Sequence, residues 1–158
     1  MEFGVTMDGL ELRAAKSDDL TFVRQCAVAA YAPYIDRIGR KPAPMVADFA
    51  GSLTKGHLEI LEYREVPVGF LVSYPQPNHL FIENVAIHPD HQGQGLAGLL
   101  FQHLERRALT LSLAALELYT NEKMRENIGL YTHLGFAETQ RVIEHGFRRV
   151  YFRKQLDP

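Results

Sequence analysis

The chain has 158 residues, 46% of them hydrophobic, which is enough to bury a core without disulfides or a metal. A formal net charge of −2 excludes the overall basicity of a nucleic-acid binder, and a lone cysteine, Cys26, excludes an internal disulfide and fits a reducing compartment. No N-terminal apolar run suits secretion or a membrane span, so a cytoplasmic protein with neither membrane nor nucleic-acid partner is expected. In chain order, a strand near Leu10 to Ala14 precedes a helix opened by Ser17-Asp18-Asp19, with Ser17 as its cap and the acids at its positive end, and closed by Pro33. Tyr34 to Pro44 reads as a loop and Met45 to Thr54 as a second helix with Gly56 just past its end. His57 to Tyr63 and Val66 to Tyr74 form a hairpin through Arg64-Glu65, and Pro75 to Asn78 turns the chain into the next strand.

That strand, Leu80 to Ile87, is rich in branched and aromatic residues and is expected to be buried on both faces; His88-Pro89 ends it. A glycine-broken turn, Gln92-Gly93-Gln94-Gly95-Leu96-Ala97, follows. A helix then places Leu96, Leu99, Leu100, Leu104, Ala108 and Leu111 on one stripe. Leu116 to Thr120 reads as a strand parallel to Leu80–Ile87, because a helix intervenes. Asn121 caps a further helix carrying Ile128, Tyr131 and Leu134 and ending at Gly135. Ala137 to Glu144 and Phe147 to Lys154 close the chain as a hairpin, with Arg148, Arg149, Arg153 and Lys154 expected as solvated strand positions.

The segment from strand through glycine turn to helix is an anion cradle. Two glycines let the backbone curl closely around a ligand, and the first helical turn directs unpaired N–H groups and a positive dipole end toward it. Gly93 to Gly98 also spells the G-x-G-x-x-G of dinucleotide-binding folds. Against that reading, five residues separate the strand from the first glycine, and too little chain follows to complete a doubly wound sheet.

The alternative frame, Gln92-x-x-Gly95-x-Ala97, together with Leu130-Tyr131-Thr132-His133-Leu134-Gly135-Phe136 downstream, resembles the GNAT superfamily of acetyl-CoA-dependent N-acetyltransferases. The resemblance implies a single N-acetyltransferase domain over residues 1–158. Its fold class would be mixed α/β, a central six- to seven-stranded sheet flanked by helices in the order β-α-α-β-β-β-α-β-α-β-β. It also implies a direct transfer from acetyl-CoA to a primary amine of a small molecule or peptide, with no metal; a homodimer is compatible with it.

By this resemblance the pyrophosphate sits on Gln92, Gly93, Gln94, Gly95, Leu96 and Ala97, and the pantetheine arm bonds to backbone groups of Val85, Ala86 and Ile87. Tyr131 occupies the position whose hydroxyl protonates the departing thiolate. Where the family often has Asn seven residues and Ala four residues before that tyrosine, this chain has Met124 and Asn127. Asn127, one turn before Tyr131, can reach the cofactor or serve the surface. A free alkylammonium has a pKa of about 10.4 and must lose its proton to attack. Glu83, the one acid in an apolar strand, is the candidate base, the other reading being a carboxylate that pairs with an arginine or faces solvent. Cys26 reads as packing, and His88 and His91 lack familiar zinc spacing. The acceptor groove is expected along Tyr31 to Met45, with Tyr31, Tyr34 and Asp36 as contacts, and along the C-terminal hairpin. A non-catalytic acyl-CoA sensor of the same fold is the competing reading.

Overall fold

Residues 9–157 are described by a computed structural model of the chain. Its elements are β1 (Leu10–Ala14), α1 (Leu20–Tyr31), α2 (Ile35–Ile38), α3 (Phe49–Thr54), β2 (Leu58–Tyr63), β3 (Val66–Pro75), β4 (His79–Ile87), α4 (Leu96–Thr110), β5 (Ala115–Asn121), α5 (Arg125–His133), β6 (Ala137–Glu144) and β7 (Phe147–Gln155). Backbone bonds link the strands into a seven-stranded sheet in the order β1-β2-β3-β4-β5-β7-β6. The β1–β2, β2–β3, β5–β7 and β6–β7 pairs are antiparallel, whereas β4 and β5 run parallel, as the intervening helix requires. This is the mixed α/β architecture expected from the element order.

The chain clusters into two units, one of residues up to Ser73 with Asn84–His103, the other of Tyr74–Glu83 with Leu104 onward. In the first, α1 buries Val23, Cys26, Ala27 and Tyr31, and β3 buries the run Val68 to Val72. Phe49 of α3 meets Phe70 edge-on at 5.2 Å. Burial pushes the Cys26 thiol up to about 12, so it stays a neutral packing group. The Arg64-Glu65 turn has φ of 52° and 69°, the left-handed pair that a two-residue hairpin needs. In the second unit, Leu104 and Ala108 of α4 are fully buried, as are Leu116 and Leu118 of β5 or nearly so. Tyr131 packs between Phe136 and Phe152, at ring separations of 5.9 and 5.8 Å.

Several local expectations give way to stronger competitors. Ser17 does not cap α1; it opens a 3-10 turn of Ser17–Asp19, where Asp19 accepts the Lys16 N–H at 2.7 Å and is gripped by two Arg13 bonds at 2.8 and 2.9 Å. The helix expected over Met45 to Thr54 is a 3-10 turn (Ala43–Val46) and then α3, which starts where Asp48 accepts the Gly51 N–H. The expected loop after Pro33 holds the one-turn α2, stopped by Gly39 at φ 87°. Asn121 lies in β5 and accepts from the Lys123 N–H, forming a turn ahead of α5, whose cap position is Met124. Leu111 lies beyond α4 and is exposed. Helix α5 does stop at the left-handed Gly135, φ 96°.

Two larger corrections bear on function. Strand β4 is not buried on both faces: Leu80, Ile82, Asn84 and Ala86 are buried, while His79, Phe81, Glu83, Val85 and Ile87 are half-exposed. The basic residues of β7 are not simply solvated either. Arg153 pairs with Glu117, Lys154 with Glu105 at 2.7 Å and Arg149 with Glu144 at 3.1 Å. Among the described residues no helix is long and apolar enough to cross a membrane.

Candidate active site

In the first unit the site grows from the end of β4. His88 donates its N–H to the Val68 carbonyl, a short 3-10 turn spans Pro89–His91, and Gln92 turns back so that its Nε2 donates to the Ile87 carbonyl at 2.8 Å. That bond clips the turn to the strand. Gly93 and Gly95 both take left-handed backbone, φ 79° and 77°, which side chains with a Cβ rarely adopt. A Cβ placed on either would meet no protein atom within 4 Å, so both positions open away from the fold. Helix α4 begins at once at Leu96, whose side chain is buried and anchors the first turn, while Gln92 to Gly95 remain exposed. Exposed donors at the start of a 15-residue helix, reached through two glycines, suit a pyrophosphate.

The three backbone positions expected to meet pantetheine lie just before this turn. The Val85 carbonyl accepts the Tyr31 hydroxyl at 2.8 Å, the Ile87 carbonyl accepts Gln92, and Ala86 is buried where β3 approaches so closely that a Cβ on Gly69 would strike its carbonyl. Each carbonyl keeps a second lone pair. Tyr31 is thus committed to holding β4: its hydroxyl also lies 2.9 Å from Asn84 Oδ1, and Asn84 Nδ2 donates to the Pro44 carbonyl at 3.1 Å. Tyr31 itself is buried, 7% exposed. Tyr34 is half-buried beneath the Arg37 guanidinium at 5.0 Å, and Asp36 is exposed.

In the second unit Glu83 is half-exposed, hydrogen-bonded by the Tyr74 hydroxyl and electrostatically coupled to Tyr119. Burial, reinforced by the Glu83 charge, pushes Tyr74 up to about 12, and burial likewise raises Tyr119. No ion pair of Glu83 is found among the described residues, and its side chain is half-exposed. The Arg149 guanidinium lies 4.3 Å from the Tyr119 ring centre, and Tyr151 donates to Glu144 at 2.6 Å. Tyr151 and Arg149 together hold the Glu144 carboxyl below its ordinary range, while burial and Glu144 raise Tyr151 to about 12. Tyr131 is buried, 6% exposed, by the two phenylalanines. Asn127 turns its Nδ2 toward Thr120 Oγ1 at 3.4 Å and Met124 Sδ at 3.6 Å.

Asn84 and the Tyr74–Tyr119–Arg149 group were missed from sequence. The parity of β4 carries the signal for the first: counted from Leu80, every second residue is buried, and Asn84 is the polar member of that set. For the second, Tyr119 and Tyr151 are registered partners across β5 and β7, a pairing that needs the sheet order.

Strand, clipped glycine turn and helix lie on a mixed seven-stranded α/β sheet. Residues 25–136 match the Acetyltransferase (GNAT) family, and the chain belongs to that family. Over 59 residues it is 41% identical to the L-2,4-diaminobutyric acid acetyltransferase of Vibrio cholerae serotype O1, a match covering 35% of this chain and 34% of that protein. Its fold is similar to that of the ribosomal-protein-S18-alanine N-acetyltransferase from Escherichia coli, with TM-score 0.74 and 18% identity over 94% of this chain and 95% of the other. A GNAT family acetyltransferase from Elizabethkingia anophelis, solved with acetyl-CoA bound, gives a TM-score of 0.66 at 19% identity over 95% of this chain and all of the other.

Proposed function

We propose that this chain is a single N-acetyltransferase domain that moves an acetyl group from acetyl-CoA to a primary amine of a small molecule or peptide by direct attack. The observation that carries this reading is the clipped turn from Gln92 to Ala97, with two left-handed glycines open on their Cβ side and an exposed helix start behind them. The diaminobutyric acid and S18-alanine acetyltransferases, both acting on amines, support the acceptor class.

In this reading the N–H groups from Gln92 to Ala97 hold the pyrophosphate, and fixed dipoles supply the compensation that a metal supplies elsewhere. Backbone groups of Val85, Ala86 and Ile87 hold the amide-rich arm as an added strand would be held. Acetyl-CoA supplies the thioester, whose C–S bond breaks as the new N–C bond forms. Glu83 takes the ammonium proton, directly or through a water, so that the nitrogen lone pair is free. The Tyr131 hydroxyl donates a proton to the sulfur that leaves. Asn127, with Oδ1 opposite the amide nitrogen spent on Thr120, offers an acceptor one turn before Tyr131.

The test couples binding to turnover. Acetyl-CoA raises the melting temperature, as a ligand of the native state must, and amines then release free CoA thiol. Stabilisation by acetyl-CoA with no thiol release from any amine would make the protein an acyl-CoA sensor. Stabilisation by NAD(H) alone would remove the cofactor assignment.

A further inference from the structure

The second unit presents a row of half-buried rings across four strands. Tyr74 of β3, Phe81 of β4, Tyr119 of β5 and Tyr151 of β7 follow one another at centroid separations of 5.6, 6.0 and 5.2 Å. Glu83 stands two residues beyond Phe81 on the same strand and therefore on the same face, about 7 Å along it. Its carboxylate is held by the Tyr74 hydroxyl and has no cationic partner among the described residues. The Tyr119 face already carries the Arg149 guanidinium, which Glu144 pins in place.

We infer that this ring row is the acceptor's seat and that it selects a primary amine joined by a short linker to an aromatic group, with no anionic group beside the amine. The inference rests on the acetyltransferase reading and deepens it. An uncompensated carboxylate attracts an ammonium and repels a neighbouring carboxylate, so it disfavours the α-amine of a free amino acid. A cation over Tyr119 would compete with Arg149 for that ring, which counts against a second ammonium there. What the rings leave for a ligand is flat apolar contact, which favours an aryl group stacked or edge-on.

The experiment compares 2-phenylethylamine, n-butylamine, L-phenylalanine, spermidine and a short peptide as acceptors, following CoA thiol release with acetyl-CoA and amine binding by calorimetry. Expected is a kcat/KM for 2-phenylethylamine at least about tenfold above each of the others. Phe81→Leu should then erode the preference for 2-phenylethylamine over n-butylamine by about tenfold. Preference for L-phenylalanine, spermidine or the peptide would overturn the inference while leaving the acetyltransferase reading intact. Calorimetric binding of 2-phenylethylamine that Phe81→Leu weakens, without thiol release from any amine, would retain the aryl-amine seat and remove the acetyltransferase reading. Equal kcat/KM for the aryl and alkyl amines, or a preference unchanged by Phe81→Leu in a folded variant, would also overturn the inference.

Discussion

Tyr31→Phe isolates one proton in the support of β4. The ring stays buried, so the apolar contribution of this residue is kept and only the hydroxyl is lost. That hydroxyl serves two acceptors, Asn84 Oδ1 at 2.9 Å and the Val85 carbonyl at 2.8 Å, with Asn84 itself only 4% exposed. Leaving a buried acceptor without its donor costs about 1–3 kcal/mol. For a chain of this length each kcal/mol lowers the melting temperature by roughly 2–4 °C, so the variant should melt about 2–12 °C lower. Asn84→Leu removes the other partner but also strands the Pro44 carbonyl, which the Asn84 amide now satisfies. The double variant should therefore be less destabilised than the sum of the singles, by about 0.5–3 kcal/mol. Reversible unfolding in urea, checked for two-state behaviour by two probes, measures all four species. A loss below about 0.5 kcal/mol for Tyr31→Phe, or strict additivity in the cycle, would refute the network as a support of the strand.

Gly95→Val places a β-branched residue at φ 77°, which costs about 1–3 kcal/mol in backbone strain although no protein atom obstructs the side chain; acetyl-CoA affinity measured by calorimetry should fall by more than the stability does, because the side chain enters the cradle. Tyr131→Phe should preserve the contacts with Phe136 and Phe152 and most acetyl-CoA affinity while slowing the chemical step about 10²- to 10⁴-fold in single turnover; full rate in a folded variant, with chemistry limiting, would leave Tyr131 a packing residue. The Arg13 hydrogen bonds hold Asp19 below its ordinary value, so its stabilisation is present above the unfolded value of about 3.9 and is lost as pH falls through and below it; Asp19→Asn should lower the melting temperature at pH 7 and flatten its acid decline below about pH 4.

The strands were legible because local pattern and tertiary burial agree in them. The β1 and β6 ranges coincide with their sequence expectations, and the Arg64-Glu65 and His145-Gly146 turns take the left-handed backbone that two-residue hairpins favour. Helix starts were less legible, since several side chains compete for the same orphan N–H groups. Asp48, not the residues near Met45, supplies the bond that begins α3, and Asp19 is drawn to Arg13 as well as to its own turn. Ion pairing on β7 was hidden for a different reason: Glu117 lies 36 residues from Arg153 and Glu105 lies 49 from Lys154, separations that only the sheet brings together. The Gln92 turn, by contrast, is local, and its glycines could be read directly.

Strand β4 shows why the site was only half legible. A run such as Leu-Phe-Ile-Glu-Asn-Val-Ala-Ile is mostly apolar, and composition alone does not separate a strand buried on both faces from one whose open face is itself largely aromatic and aliphatic. The structure separates them by parity. One set, Leu80, Ile82, Asn84 and Ala86, is buried and holds the strand, with Asn84 bonded to Tyr31 and Pro44. The alternate set, Phe81, Glu83, Val85 and Ile87, is half-exposed and contains every β4 group assigned here to base, aryl contact or arm, except Ala86 through its backbone. Substitutions in the first set should therefore appear chiefly in stability and those in the second chiefly in turnover. A scan of β4 to alanine that reads both quantities at every position but Ala86 would reveal that alternation as a period of two, and a stability profile without it would mean that the chemistry resides elsewhere than on this strand.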